Sequence, residues 1–179
     1  GDVIGYQFIS DYIMSEKLTP VIKMITNFGG AMVLSITTLL LLIIIKDKKI
    51  GVGILINLCT ATGLNLILKS LLQRPRPTEF RIINETGYSF PSGHSMISMA
   101  FYGFIIYLIY EKVKNKYIKW TSITLLSILI VMIGFSRIYL GVHYVSDVLA
   151  GFLFSIAYLI VYIGIINKYL FKGVISDGK

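Results

Sequence analysis

The chain has 179 residues, 55% of them hydrophobic and 15% charged. A soluble domain carries roughly 25% charged residues, so this composition excludes a cytosolic enzyme, a disordered segment and a disulfide scaffold, and leaves an integral membrane protein. The net charge of +8 would suggest nucleic acid in a soluble protein. Here the cations lie between apolar stretches, so they report membrane topology and anionic headgroups, and no nucleic-acid partner is expected.

Gly1 stands where a complete chain would carry Met, so a fragment or a processed product is expected. Residues 1–28 carry Tyr6, Ile9, Ile13, Leu18, Val21, Ile22, Ile25 and Phe28 at helical spacing, interrupted by Asp11, Glu16, Lys17 and Lys23. This pattern predicts one or two short helices lying at the membrane surface. Thr19-Pro20 reads as an N-cap followed by proline at the first helical position. Five apolar segments follow, near the length of about 20 residues that a span needs. They run over about 29–45, 50–68, 95–110, 120–135 and 148–166. The predicted fold is therefore all-α, a polytopic transmembrane helix bundle of five spans, organised as an amphipathic segment 1–28, a transmembrane unit 29–167 and a basic tail 168–179. The single cysteine, Cys59, lies inside an apolar run and forms no internal disulfide.

Several polar residues sit where apolar ones are expected. His143 and Asp147, four apart, open the fifth span and share a face if its helix begins early enough. They suit either a functional pair or a buried pair that ties helices together. Pro91-Ser92-Gly93-His94 opens the third span. It is either an anion site, built from a small flexible turn and a helix N-terminus, or an ordinary cap beside an interfacial histidine. Asn57, Asn65 and Lys69 form a stripe on the second span that should face other helices rather than lipid. Lys69, Arg74, Arg76, Arg81 and Arg137 each also fit cations snorkelling to the headgroups.

Five spans would place Lys69, Arg76, His94, Arg137, His143 and Asp147 at one membrane face. Cations neutralise phosphoryl oxygens, and histidines serve as nucleophile and acid, so this set suits a phosphoryl group. The opposite face and the tail carry ten of the 17 Lys and Arg residues, among them Lys46, Lys48 and Lys49 in one short loop. By the positive-inside rule that face is cytoplasmic, which directs the site outward.

At these residues the sequence resembles the type 2 phosphatidic acid phosphatase superfamily of membrane lipid phosphatases, related to the vanadium haloperoxidases. The signature comes in three parts: Lys69, six residues, then Arg76-Pro77; Pro91-Ser92-Gly93-His94; and Ser136-Arg137, five residues, His143, three residues, Asp147. The resemblance covers about residues 29–166. It implies that His143 is the nucleophile and forms a phosphohistidine. Asp147 would hold its imidazole, and His94 would protonate the leaving oxygen. Lys69, Arg76, Arg137, Ser92 and Gly93 would bind phosphate. No metal and no cofactor are implied. Members commonly have six spans, so one span would precede Gly1.

The expectation is thus a multi-pass phosphatase of the cell membrane, with its active site on the extracytoplasmic face and a membrane lipid as substrate. Undecaprenyl diphosphate leads, with phosphatidylglycerol phosphate and phosphatidic acid as alternatives. A non-catalytic lipid-binding or transport protein would need the cations but not the histidine pair. A haloperoxidase would generally be larger and soluble.

Overall fold

The structure, a computed structural model, describes residues 2–78 and 81–172. Residues 173–179 of the expected tail, including Lys179, and the side chain of Tyr6 lie outside the described residues. Among the described residues there are seven helices and no strand: α1 (Asp2–Tyr12), α2 (Leu18–Asn27), α3 (Ala31–Ile44), α4 (Lys48–Leu72), α5 (Gly93–Lys112), α6 (Lys116–Tyr139) and α7 (Val145–Tyr169).

Helices α4 to α7 are each long and apolar enough to cross a membrane. They extend the sequence-derived segments by two to four residues at every end, because helices run on through polar residues that a hydropathy window rejects. Asp47 caps α4 by accepting from the Lys49 N–H at 3.0 Å, and Asn115 caps α6 by accepting from the Ile118 N–H at 3.1 Å. Leu66, Leu71, Leu125, Val131, Leu153 and Ile160 are exposed along these helices. In a soluble protein such a surface would be a liability, whereas here it is the lipid-facing side.

The expected first span departs from the sequence reading. Helix α3 has 14 residues, roughly 21 Å at 1.5 Å per residue, too short for a hydrocarbon core of about 30 Å. It is long and apolar enough to cross only together with α2, from which it is bent by 49°. The bend falls at Gly29-Gly30, where Gly30 is extended and caps α3. A Cβ at Gly29 would stand 2.6 Å from Ile133 Cγ2 and 3.3 Å from the His94 ring, so α6 and α5 meet the chain at the break. The boundary expected at residue 28 therefore falls inside a bent helix pair. Helix α2 is docked on the bundle: Ile22 is 1% exposed and packs with Tyr139, Leu140 and Val142. Thr19-Pro20 is also corrected. The helix starts at Leu18 with Lys17 as its N-cap, and Pro20 occupies the first turn, where its missing N–H is harmless.

Two apolar clusters hold the bundle. One lies mid-bundle around Phe101, Phe104, Ile133 and Tyr162. The other, around Ile22, Tyr139, Leu140 and Val142, lies under the loop between α6 and α7. The stripe on α4 faces inward as expected, with Asn57 and Asn65 buried and Lys69 half-buried.

Candidate active site

One end of the bundle gathers the C-termini of α4 and α6, the N-termini of α5 and α7, and the loop between α4 and α5. The antiparallel order of α4 to α7 makes this convergence unavoidable: motifs far apart in sequence sit at helix ends on one face.

His143 lies in the short loop between α6 and α7. Gly141 turns that loop at φ 69°, a left-handed conformation that suits glycine. The flanking Val142 is fully buried, and its N–H donates to Arg137 O at 3.2 Å. His143 is thereby fixed, and it is 2% exposed. Its Nδ1 lies 3.3 Å from Asp147 Oδ2, and its Nε2 lies 3.1 Å from Arg76 Nη1. A guanidinium can only donate, so Nε2 accepts and the proton resides on Nδ1, facing the carboxylate. Burial, opposed by the Asp147 hydrogen bond and reinforced by Arg76, Arg137 and Lys69, pushes the His143 pKa down to about 4. The imidazole is neutral at ordinary pH, with an Nε2 lone pair turned toward the cations.

Asp147 is fully buried and saturated with donors. Besides His143, its Oδ2 accepts from the Tyr144 N–H at 2.9 Å and from the Ser89 hydroxyl, and its Oδ1 accepts from Arg74 Nη1 at 2.8 Å. Ser89 Oγ also lies 3.2 Å from His143 Nδ1, so it bridges the pair. The Ser89 N–H in turn donates to Arg74 O at 2.8 Å.

The cations surround this pair. Arg137 is 1% exposed and donates to Thr26 Oγ1 at 2.9 Å and to the Glu85 carboxylate. Burial raises the Glu85 carboxyl pKa, but the Arg137 hydrogen bond and charge, with His94 and Arg76, together outweigh it, so the group is held below the usual carboxylate range. Arg76 is half-buried and donates to the carbonyls of Thr86, Gly87 and Val142. Burial, with Glu85 opposing and Arg137 adding to it, lowers the Arg76 pKa; the group stays charged. Lys69 Nζ donates to Tyr88 O at 2.6 Å.

His94 is the second residue of α5, half-buried, with Arg137, Glu85 and Arg76 as its charged neighbours and the His143 ring nearby. Gly93 opens the helix, so its N–H has no intrahelical partner. Ser92 is fully buried, and its hydroxyl caps α5, accepting from the Ser95 N–H at 3.4 Å and from Ser95 Oγ at 2.9 Å. Its own N–H donates to Asp147 O at 3.1 Å. The structure thus brings together His143, Asp147, His94, Lys69, Arg76, Arg137 and Gly93, and engages the Ser92 hydroxyl in the turn.

Four contributors escaped the sequence reading. Arg74, read there as snorkelling, is ion-paired with Asp147. Ser89 and Glu85 lie in the loop before the Pro91 turn, where no spacing singles them out. Thr26 belongs to α2, whose docking on α6 only the structure reveals. Among the described residues, no three His, Cys, Asp or Glu side chains cluster as metal ligands.

This constellation, held at one end of a helical bundle with four to five candidate spans, defines a multi-pass membrane protein with a histidine–carboxylate pair ringed by cations. The PAP2 superfamily model matches residues 50–170, and the chain belongs to that superfamily. It is 38% identical over 109 residues to phosphatidylglycerophosphatase B of Bacillus subtilis, covering 59% of this chain and 53% of that protein. It is 31% identical over 151 residues to undecaprenyl-diphosphatase of Sulfolobus acidocaldarius, covering 80% of this chain and 68% of the relative. The crystal structure of a transmembrane PAP2-type phosphatidylglycerolphosphate phosphatase from Bacillus subtilis superposes with a TM-score of 0.82 at 28% identity, over 92% of this chain and 84% of that one. The match to the first of these relatives spans about half of that protein's length.

Proposed function

We propose that this protein is an integral membrane phosphatase that hydrolyses a lipid phosphate or diphosphate through a phosphohistidine on His143. The observation that carries this reading is the His143 ring itself. Its Nδ1 is turned to Asp147 and its Nε2 to a guanidinium, inside a cluster of three cations. A site that only bound anions would need the cations but not an oriented neutral imidazole.

The substrate phosphoryl group takes the place now spanned by Arg76 and His143 Nε2. Lys69, Arg76, Arg137 and the Gly93 N–H bind its oxygens, and the turn that Ser92 caps holds Gly93 in place. The Nε2 lone pair attacks phosphorus as the bond to the leaving oxygen breaks. His94, in its protonated form, donates a proton to that oxygen. Asp147 stabilises the positive charge on the phosphorylated imidazole through Nδ1–H, as a carboxylate partner does in other triads. His94, now neutral, takes a proton from water as the water attacks phosphorus. Inorganic phosphate leaves and His143 returns to its resting state.

The site lies at the ends of the spans, so an amphiphile reaching it sideways from the leaflet is favoured over a soluble phosphate. Relatives named for phosphatidylglycerophosphate and undecaprenyl diphosphate support this class. The lead substrate is undecaprenyl diphosphate, with phosphatidylglycerol phosphate and phosphatidic acid next. Lysines 46, 48, 49, 112, 114, 116 and 119 lie at the end opposite the site, which supports a cell-membrane protein whose site opens extracytoplasmically.

The test is phosphate release from these three lipids by detergent-solubilised protein, with His143→Ala as control. Release by the parent protein and none by the variant is expected; equal release by both defeats the reading. Sidedness is read from single cysteines in loops 111–119 and 81–86, with Cys59 replaced. An impermeant thiol reagent should label only the second loop in intact cells, and the opposite pattern reverses the orientation.

A further inference from the structure

Helix α1 packs against the start of α7, with Gly5 lying against Val145. At this contact Asp2 receives three hydrogen bonds. Its Oδ1 accepts from the Ser146 N–H at 2.9 Å, and its Oδ2 accepts from Ser146 Oγ at 2.8 Å and from Arg74 Nη2 at 2.9 Å. The same guanidinium donates through Nη1 to Asp147 Oδ1 at 2.8 Å. Its Cζ stacks 4.2 Å from the centroid of the Tyr144 ring, so it is held in one geometry between two carboxylates.

From this geometry we infer that Asp2 is a positioning residue for the His143–Asp147 pair, acting through Arg74. Arg74 alone against Asp147 would form a neutral pair, leaving His143 with little net negative charge to lean on. Asp2 takes half of the guanidinium, and the three groups together carry one negative charge, as an unpaired Asp147 would. Arg74 can then fix the Asp147 carboxylate without cancelling it. The remaining groups around Asp147 are His143, Ser89 and the Tyr144 N–H, with Lys69 and Arg76 acting from further off. Asp2 is faced by Arg74 and Ser146. Burial raises the Asp2 carboxyl pKa, yet the Ser146 N–H and Arg74 outweigh it and hold the group below its usual range. For Arg74, burial is outweighed by Asp2 and Asp147, and its pKa rises. All three groups are charged at neutral pH, and α1 becomes part of the catalytic apparatus without touching substrate.

The inference rests on His143 being the nucleophile, and the experiment separates the two ideas. Asp2→Asn keeps an acceptor for the Ser146 N–H and so keeps α1 docked. Arg74→Gln removes the cation, and the double variant restores the wild-type net charge beside Asp147. In purified protein, Asp2→Asn should lower kcat about tenfold with KM within about twofold, because substrate is bound elsewhere. The double variant should return to within about threefold of wild type, a coupling that a mere structural strut cannot produce. A second readout needs no turnover. In a His94→Gln background with ring-15N histidine, His143 is the one labelled ring. Its Nδ1–H proton resonance should move upfield in Asp2→Asn and return in the double variant. Wild-type kcat and an unmoved resonance in Asp2→Asn overturn the inference, as does a double variant no better than Asp2→Asn. Absent phosphate release by the wild type, or full release by His143→Ala, defeats the phosphatase reading instead, and the resonance still decides whether Asp2 reaches His143.

Discussion

Asp147→Asn changes one atom and should nearly abolish turnover. The carboxylate accepts from four donors: His143, Ser89, the Tyr144 N–H and Arg74. An amide offers one acceptor oxygen. With its NH2 toward Arg74, two donors meet. With its NH2 toward His143 and Tyr144, the ring must accept at Nδ1, and the proton moves to Nε2, the atom required for attack. Either arrangement also removes the charge that stabilises the phosphorylated imidazole. At the 3.3 Å separation of Nδ1 and Oδ2, a full charge pair is worth about 5 kcal/mol at an effective dielectric constant of about 20. At about 1.4 kcal/mol per decade, kcat should fall between about 10³- and 10⁴-fold. The assay is single-turnover phosphate release under saturating lipid, so that binding is not confused with chemistry, with thermal unfolding followed in parallel. A folded Asp147→Asn protein retaining more than about a tenth of wild-type kcat would show that the carboxylate does not act through His143, and the reasoning would fail.

Since burial and the cations lower the His143 pKa to about 4, its neutral form persists well below the usual histidine range. The acidic limb of kcat/KM should therefore fall as pH drops through about 4; a limb near pH 6.5 would show the ring to be exposed. His94→Ala should slow a lipid phosphate far more than an aryl phosphate, whose leaving oxygen needs little protonation, and equal losses would argue against the acid role. Gly29→Ala would press a methyl into Ile133 Cγ2 at 2.6 Å and the His94 ring at 3.3 Å. A loss of about 1–3 kcal/mol of stability is expected, together with lower kcat, and an unchanged melting temperature and rate would mean the α2–α3 break does not support His94. Turnover should survive a chelator titration because Lys69, Arg76 and Arg137 already supply positive charge, and loss restored by magnesium would contradict this.

Composition and hydropathy by themselves determined the solvent, because a chain this poor in charge has no aqueous solution to its surface, and they located α4 to α7 to within about a turn. The three motifs determined the family, since His143 with Asp147, His94 with Gly93, and Lys69 with Arg76 are local spacings that a helix or turn converts directly into geometry. Hydropathy gave no warning that the first candidate span is two helices meeting at Gly29-Gly30, because the bend costs no apolar residues; Ile133 and His94 stand against the break. Nor does any local spacing mark Ser89, Glu85, Thr26 or Asp2. Each acts across 52 to 144 positions of chain, on Asp147, Arg137 or Ser146. Arg74 was visible in sequence as one more cation near a membrane end. Whether such a cation reaches for headgroups or clamps a buried carboxylate depends on which groups lie within about 3 Å of it, and for Arg74 those groups are Asp147, met where the α4–α5 loop packs on the start of α7, and Asp2, brought by the docking of α1, a decision of the tertiary structure alone.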